Sequence, residues 1–403
     1  MRSLIILKGL VKSSKYSWVK RENLLNFYLD IEDVRKIFYK PEYKGTRDFL
    51  TRSYDETVYR VFMEALISRL STGCLVVVNM EQDSTAVLEE LALFFGYTVF
   101  YHVEKTPSDY VGKNRKYCED CYLIPSKETL KKEVNNFKSV SYVGKNLIDT
   151  YEDVCLYFKN LLKPIGLKKS DTVLHISDLH SHHKIFKDVL EPIINQVSLT
   201  ICLGDYIDGP EEGGSRNLID MLLGYENPNV LFLEGNHEIR LRKWLAYLFF
   251  KGKGKRTLYE TLEGYLPKDF ENTEKEFGEL TVLDTLKLIR KLNNKLLNFV
   301  IYEKAGITYY CTHSGVRWLE QLSPKFVGNV ICSNKNPDRT DEYFSRKYSC
   351  QGMISIHGHC KYPEELNCFK YPGIINIDTE DEHKVNYFIN ETNKKFKVCV
   401  VKD

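Results

Sequence analysis

The chain has 403 residues, of which 43% are hydrophobic and 28% charged, and it carries a net charge of +2. That length accommodates two domains, and the composition is that of an ordinary folded globular chain. The near-neutral balance argues against a dedicated duplex binder, which carries a basic excess, and no apolar stretch reaches the roughly 20 residues that span a bilayer.

In chain order, the first unit, residues 1–148, reads as α/β. Leu4–Leu7 predicts a strand, Lys8–Lys15 a loop, Ser17–Asn26 a helix, and Phe27–Leu29 opens the next strand. Cys74–Asn79 and Thr98–His102 predict two further strands, with an amphipathic helix over Thr85–Phe95 between them. Strands alternating with helices in this way predict a parallel sheet. Met1–Leu7 is too short for a signal h-region and runs into Lys8 and Lys12, so export is not expected. Eleven cysteines, odd in number and irregularly spaced, predict reduced thiols and a cytoplasmic location. Cys118 and Cys121 form a lone C-x-x-C, short of the four ligands that a closed zinc site needs.

The loop after the first strand has Gly9 and Lys15 at the spacing of a phosphate-binding loop. Such a loop wraps phosphates with backbone N–H groups, reaches the outer phosphates with its lysine and holds Mg²⁺ with a hydroxyl. Ser14 stands at the second glycine position and Tyr16 at the hydroxyl position, with Ser17 offering a hydroxyl one place later. An ordinary strand-loop-helix is the plainer reading.

Residues 149–170 predict a linker, helical over Tyr151 to Leu162 and followed by Pro164-Ile-Gly166. Beyond it, 171–403, six apolar runs end directly in metal-ligating residue types. Thr172–Ser177 precedes Asp178 and His180, Leu199–Leu203 precedes Gly204-Asp205, and Val230–Leu233 precedes Gly235-Asn236-His237-Glu238. Thr308–Cys311 precedes His313, Met353–Ile356 precedes Gly358-His359, and Ile374–Ile377 precedes Asp378. Short apolar runs of this kind read as buried strands, and ligand sites collect where strand ends meet. The end residues therefore form a two-metal ligand set. Nine of the ten histidines lie from residue 175 onward, which fits such a site better than packing. Singly, His175 and His357 read as core residues, and His182, His183 and His383 as surface residues or supports behind the ligands. A helical insert about 244–297, with Thr257–Leu262 and Thr285–Lys295, either caps the site or covers the sheet. Basic stretches at Lys113–Lys116, Lys131-Lys132, Arg240–Lys243 and Lys251–Arg256 are solvated faces or hold the phosphates of a short single strand.

The ordered set Asp-x-His, Gly-Asp-x-x-Asp, Gly-Asn-His-Glu, His-Ser-Gly and Gly-His, preceded by a degenerate phosphate-binding loop, resembles the bacterial and phage polynucleotide kinase-phosphatases, which heal broken RNA or DNA ends. The resemblance implies an α/β chain with an N-terminal P-loop kinase-like parallel sheet and a C-terminal calcineurin-like metallophosphoesterase β-sandwich flanked by helices. It implies that Asp178, His180 and Asp378 hold one divalent metal, Asn236, His313 and His359 the other, and that Asp205 bridges them. Mn²⁺ is the expected metal, with Fe, Zn and Ni compatible with the ligand types. By the same resemblance His237 would stand near the leaving oxygen as proton donor or charge stabiliser, with Asp208 orienting its ring.

In the kinase-like half the resemblance assigns nucleotide binding to Gly9, Lys15 and Ser17 with ATP and Mg²⁺, places Glu32 where an acid activates the 5′-hydroxyl, and puts a lid at Lys113–Lys116. Ser14, Tyr16 and Tyr117 depart from the family pattern and count against 5′-kinase activity. Gly209 stands where the family places an arginine on the substrate phosphate, leaving Arg216, Arg240 or Arg242 as substitutes. Gly358-His359-Cys360-Lys361 lacks the second histidine of the G-H-x-H phosphodiesterases, which points to the phosphatase branch. The expected function is removal of phosphate from 3′ or 2′,3′ ends of RNA or DNA, with a separate ligase as partner and no membrane association. The rival expectation is a protein or small-nucleotide phosphatase whose N-terminal unit is a docking or specificity module. A nucleotide-sensing or interaction protein with an idle metal site fits less well, because all seven ligand positions are filled.

Overall fold

A computed structural model of the protein describes residues 2–9, 15–38, 52–73, 75–80, 85–104, 144–266, 270–331, 337–359, 370–378, 384–391 and 397–402. The N-terminal strands are β1 (Arg2–Lys8), β2 (Tyr28–Asp30), β3 (Val76–Asn79), β4 (Tyr97–Val103) and β5 (Asn146–Leu147). They form one parallel sheet in the order β2-β3-β1-β4-β5. β1 is buried along its whole length, which explains why its sequence is a continuous apolar run rather than an alternating one. Helices α1 (Lys15–Arg21), α2 (Ile31–Phe38), α3 (Arg52–Ser71) and α4 (Thr85–Phe94) accompany it. The helix expected over Ser17–Asn26 stops at Arg21, because Asn23 turns the chain at φ 56 and Leu25–Phe27 form a 3₁₀ turn. Helix α3 was not anticipated, although Phe62, Met63, Leu66, Ile67 and Leu70 form its buried stripe at helical spacing.

The stretch read as a linker is more than a connection. It contains α5 (Tyr151–Phe158), a 3₁₀ turn over Lys159–Leu162, and β6 (Ile165–Leu167). Three residues are too few to show an alternating pattern, so β6 was not visible in the sequence. The remaining strands are β7 (Val173–Ile176), β8 (Leu199–Cys202), β9 (Val230–Leu233), β10 (Leu296–Leu297), β11 (Phe299–Lys304), β12 (Ile307–Thr312), β13 (Met353–His357), β14 (Ile374–Asn376), β15 (Lys384–Asn390) and β16 (Lys397–Lys402). They form two mixed sheets, β10-β9-β8-β7-β15-β16 and β14-β13-β12-β11-β6. β6 pairs with β11 and so belongs to the second of these. The inner faces meet through Val173, Ile201, Leu203 and Leu233 on one side and Tyr302, Cys311, Ile356 and Ile375 on the other.

Helices α6 (Gly214–Gly224), α7 (Asn236–Gly252), α8 (Arg256–Glu263), α9 (Glu271–Phe277), α10 (Val282–Lys295) and α11 (Pro337–Tyr348) complete the described helices of this half, with a helical segment over residues 183–194. The helical insert begins earlier than residue 244. Helix α7 starts at Asn236, inside the Gly-Asn-His-Glu motif, so the insert grows directly out of the site. Its helices also join the two halves of the chain. Phe94 packs against Phe249 and Phe250 with ring centroids 4.8 and 6.2 Å away, and the Tyr265 hydroxyl donates to the Glu64 carbonyl at 3.2 Å. A buried ion network lies beside this core: Arg2 of β1 and Arg242 of α7 both bind the Glu234 carboxylate, and all three are at most 3% exposed. Cys155, Cys202, Cys311 and Cys350 are free thiols, and no helix among the described residues is long and apolar enough to cross a membrane.

Candidate active site

β7, β8 and β9 run parallel in one sheet, and β12, β13 and β14 run parallel in the other, so each set delivers its carboxyl ends to a single edge. The turns at those ends are strained. Asp178, His180, Asp205, Asp208 and His359 have φ values of 52, 35, 57, 61 and 63, and they make up five of the eight non-glycine residues at positive φ among the described residues. Such conformations cost on the order of 1–3 kcal/mol each and persist only where the surroundings hold them. The backbones also approach one another closely. A Cβ on Gly358 would lie 1.7 Å from Ser177 Oγ and 2.2 Å from Asp178 Oδ2, so only glycine lets the His359 turn sit against the Asp178 turn.

Glu238 supplies much of the restraint, a role the sequence reading did not assign. Its fully buried carboxylate accepts the backbone N–H groups of Asp205 at 3.0 Å, Tyr206 at 2.8 Å and Gly235 at 2.8 Å. It thereby ties the end of β8 to the start of α7. Burial and the charge of Asp205 push its pKa up to about 7. The available signal was its place at the third helical position after Gly235, where an acid caps a helix N-terminus.

Asp205 is the electrostatic centre. Its Oδ2 lies 3.3 Å from His313 Nε2, 3.7 Å from His237 Nε2 and 4.0 Å from His359 Nδ1, while Oδ1 accepts the His237 N–H at 3.1 Å. Burial opposes its ionisation, yet the charges of His313 and His237 hold its carboxyl well below the usual range. In return, burial disfavours a charged His313, but the Asp205 carboxylate outweighs it and lifts that imidazole to about 9. His313 Nε2 is also 2.9 Å from Asn236 Oδ1. His237 Nδ1 donates to Asp208 Oδ2 at 2.8 Å, and Asp208 accepts a further hydrogen bond from Thr273 of α9. Burial lowers the His237 pKa, but the Asp205 charge and the Asp208 hydrogen bond together leave it raised.

Two sets of residues place ligand atoms within 4.8 Å of one another: His180, Asp205 and His237, and Asp205, His313 and His359. Asp205 is common to both. The donor chemistry fits divalent metals. His180 Nδ1 is 3.2 Å from the Ile207 carbonyl and His313 Nδ1 2.9 Å from the Leu203 carbonyl, so each ring presents Nε2 to the site, the arrangement by which metal-binding histidines are oriented. Asp178 joins through its carboxylate, which accepts the His359 N–H at 3.2 Å. Asp378 follows β14 on the same edge, its N–H bonded to Asn376 Oδ1 at 3.1 Å, but it is in neither set. His237 enters one set although the sequence placed it only as the proton donor.

The phosphate-binding candidates divide. Arg240 stands at the site, with Nη1 3.7 Å from Asp208 Oδ2 and the side chain 30% exposed. Arg216 is turned onto Asp220 at 2.7 Å and the Phe277 ring at 5.2 Å. Arg242 is corrected outright: it is buried on Glu234, Asn293 and the Phe94 carbonyl and cannot face a substrate. No side chain replaces Gly209 either, because a Cβ there would lie 1.6 Å from the His180 carbonyl oxygen. His175 and His357 are core residues as expected, His357 bonding Asp341 Oδ2 at 3.0 Å. Of the two readings of His182, surface or support behind the ligands, its burial excludes the first, and His183 pairs with Glu211 at 3.0 Å.

In the N-terminal half, Lys15 Nζ donates to the Gly9 carbonyl at 3.3 Å, Ser17 is exposed on α1, and Glu32 pairs with Arg35 on α2. Asp30, not Glu32, ends β2; it accepts from Tyr28, from Asn79 at 2.9 Å and from the Glu32 N–H at 2.9 Å. Ser14, the lid at 113–116, Tyr117, Cys118, Cys121 and His383 lie outside the described residues.

The sequence profile described as calcineurin-like phosphoesterase matches residues 172–389, more than half of the chain. Among curated protein sequences none matches. The fold is similar to a protein serine/threonine phosphatase from Saccharomyces cerevisiae, at 10% identity over 69% of this chain and 96% of that one, with a TM-score of 0.37. It is also similar to a cold-active protein tyrosine phosphatase of a psychrophilic Shewanella species, at 13% identity over 59% of this chain and 82% of that one, with a TM-score of 0.33.

Proposed function

From the premise that the chain belongs to the calcineurin-like phosphoesterase family, we propose that it removes phosphate from the 3′ or 2′,3′ ends of RNA or DNA at a two-metal site centred on Asp205. The observation that carries the chemistry is the sharing of the Asp205 carboxylate by two groups of ligand atoms. Asp178, His180 and Asp378 would hold one cation, Asn236, His313 and His359 the other, with Mn²⁺ the expected metal. Two such cations, when bound, would supply positive charge for the phosphoryl oxygens and would acidify the attacking water.

The chain's own groups do the rest. Asp208 fixes His237 through Nδ1, which leaves Nε2 to carry a proton to the leaving oxygen. Arg240, beside Asp208, takes the phosphate-orienting place that Gly209 leaves empty. Glu238 holds the two loops in register throughout.

The N-terminal unit supports a nucleic-acid substrate. Its strand order reverses at β1: the chain leaves β1 toward β2 on one side and β4 toward β5 on the other, and ligands of parallel sheets bind outside the carboxyl ends at such a point. β1 runs into Gly9 there, where the sequence read as a degenerate P-loop that binds a strand or nucleotide begins. A 5′-kinase activity is not part of this reading, because Ser14 and Tyr16 stand where a phosphate-binding loop has its second glycine and its hydroxyl.

A gel assay tests it, using a short 5′-OH RNA with a 2′,3′-cyclic or 3′-phosphate end, Mn²⁺ and labelled ATP, with Asp205→Ala as control. Loss of the end phosphate with the unaltered chain alone is the expected result. Hydrolysis of a generic ester or phosphopeptide without end processing would transfer the site to protein or small-nucleotide substrates.

A further inference from the structure

Immediately beyond His313 the chain builds an exposed aromatic and basic surface that the reaction does not use. Arg317 lies over the indole of Trp318, 4.3 Å from the ring centroid, and 5.5 Å from the centroid of Tyr343. Trp318 and Tyr343 meet edge to face at 6.1 Å, and Lys347 sits 5.7 Å from the Tyr343 ring. Both aromatics are 37% exposed.

The surface is rigid and tied to the active site from two directions. The buried Gln321 side-chain oxygen accepts the Trp318 N–H at 3.0 Å and the Arg317 N–H as well, fixing the backbone beneath the indole. Upstream, Ser314 bonds the Asn329 carbonyl at 3.0 Å and Gly315 N–H bonds Thr312 Oγ1 at 3.1 Å. Tyr343 lies two residues from Asp341, whose carboxylate holds His357, the residue before Gly358-His359. Five trans peptide steps separate Trp318 from His313, which keeps their Cα atoms within about 19 Å.

We infer that Trp318, Arg317 and Tyr343 form a stacking platform for a base of the nucleic-acid strand whose terminal phosphate is in the active site. A guanidinium plane on an indole presents a flat polarisable face, on which bases stack regardless of sequence. Arg317 and Lys347 add positive charge where the sugar-phosphate backbone passes. A phosphopeptide offers neither a flat π-system at each residue nor a phosphate at each step, so the surface matches a nucleotide chain better. This inference rests on the end-processing reading above and names what holds the strand.

The chain contains three tryptophans, and Trp18 and Trp244 are each 1% exposed, so quenching by a ligand reads Trp318. The experiment titrates the full chain with a single-stranded RNA ending in a 3′-hydroxyl. It then compares hydrolysis of 3′-phosphorylated RNA and of p-nitrophenyl phosphate in Trp318→Ala and Trp318→Phe. The expected result is saturable quenching, about tenfold weaker RNA binding and higher KM in Trp318→Ala, restoration in Trp318→Phe, and p-nitrophenyl phosphate turnover within about twofold of the unaltered chain. A 3′-phosphorylated mononucleotide affected equally places the terminal base on the platform; one unaffected places a base further along the strand. RNA bound and processed equally well by Trp318→Ala overturns the platform and leaves the substrate class intact. A parallel fall with both substrates overturns it as a structural effect. Hydrolysis of p-nitrophenyl phosphate with neither binding nor processing of RNA by the unaltered chain overturns the end-processing reading, and the platform with it.

Discussion

Two edges of this molecule gather polar residues at the carboxyl ends of parallel strands, and they treat those residues differently. At the N-terminal sheet, Lys8 donates to Thr85, Asp30 accepts from Tyr28, Asn79 and the Glu32 backbone, and His102 stacks on Trp18 at 4.2 Å while bonding the Ile148 carbonyl. Lys8, Asp30, Asn79 and His102, the strand-end residues of this edge, all lie outside the positive-φ region. At the phosphoesterase edge, one carboxylate faces three imidazoles within 4.0 Å, on turns held in the left-handed region. Strain is concentrated, among the described residues, where like and unlike charges converge on one point, whereas the N-terminal strand-end side chains satisfy one another. The second edge is therefore built for charge that arrives from outside, which is what a metal and a phosphate bring.

The largest test of that contrast is Asp205→Asn. Removing the shared charge is expected to lower phosphoesterase turnover by at least about a thousandfold, the several kcal/mol that such charge stabilisation supplies. Elemental analysis of the same protein should show fewer than two bound metals; full occupancy with full activity would remove Asp205 from the centre. His237→Ala comes next. It should lower kcat by about a hundredfold on an alkyl phosphate or RNA end while leaving metal content unchanged. The loss should shrink on p-nitrophenyl phosphate, whose leaving group needs no proton. Loss of metal in this variant would instead make His237 a ligand, as its grouping with His180 and Asp205 permits.

How far these residues were legible follows from where the information lies. Asp178, His180, Asp205, Asn236, His313 and His359 each follow an apolar run within a few residues, so strand-end position could be read locally. Gly358 and Gly204 beside them mark the close turns of the ligand-bearing loops. Glu238 was quoted within its motif but given no task, because its partners, Asp205 and Tyr206, are about thirty residues away and nothing in local spacing predicts three backbone donors on one carboxylate. Arg242 was misread for the same reason: its partner Glu234 is itself held by Arg2 from the far end of the chain. The aromatic platform was invisible too, since Trp318 and Tyr343 come from segments with no shared pattern. Helix α3 is a different case, with a readable stripe that was passed over.

The Arg2–Glu234–Arg242 network, at the end of β1 opposite Lys8, ties the N-terminal sheet to the phosphoesterase half and sharpens the comparison through stability. Arg242→Met leaves Glu234 half paired in a dry site and should destabilise the chain by about 3–5 kcal/mol, seen as a lower denaturant midpoint in one transition shared by both halves. Two separated transitions would mean that the halves fold independently. Burial raises the Glu234 pKa, but Arg2 and Arg242 outweigh it and leave it lowered. A depressed acid contributes stability that is present above its unfolded pKa, near 4.5, and lost as pH falls through the folded value. Acid unfolding should thus steepen below about pH 4.5, and Glu234→Gln should flatten that limb; an unchanged acid limb would place the titration elsewhere.

Asp30→Asn probes the self-satisfied edge and carries the smallest expected effect. The substitution keeps the shape of the side chain and removes its charge, so the contacts from Tyr28 and the Glu32 N–H can persist while the amide of Asn79 loses its charged acceptor. Loss of that charge assistance costs about 1 kcal/mol in folding stability. Phosphoesterase turnover should remain within about twofold, because the partners of Asp30 described here, Tyr28, Asn79 and the Glu32 N–H, do not bond the Asp205 turns. A tenfold fall in turnover with folding unchanged would show that the N-terminal edge presents substrate to the phosphoesterase edge, and the two would then have to be treated as one site.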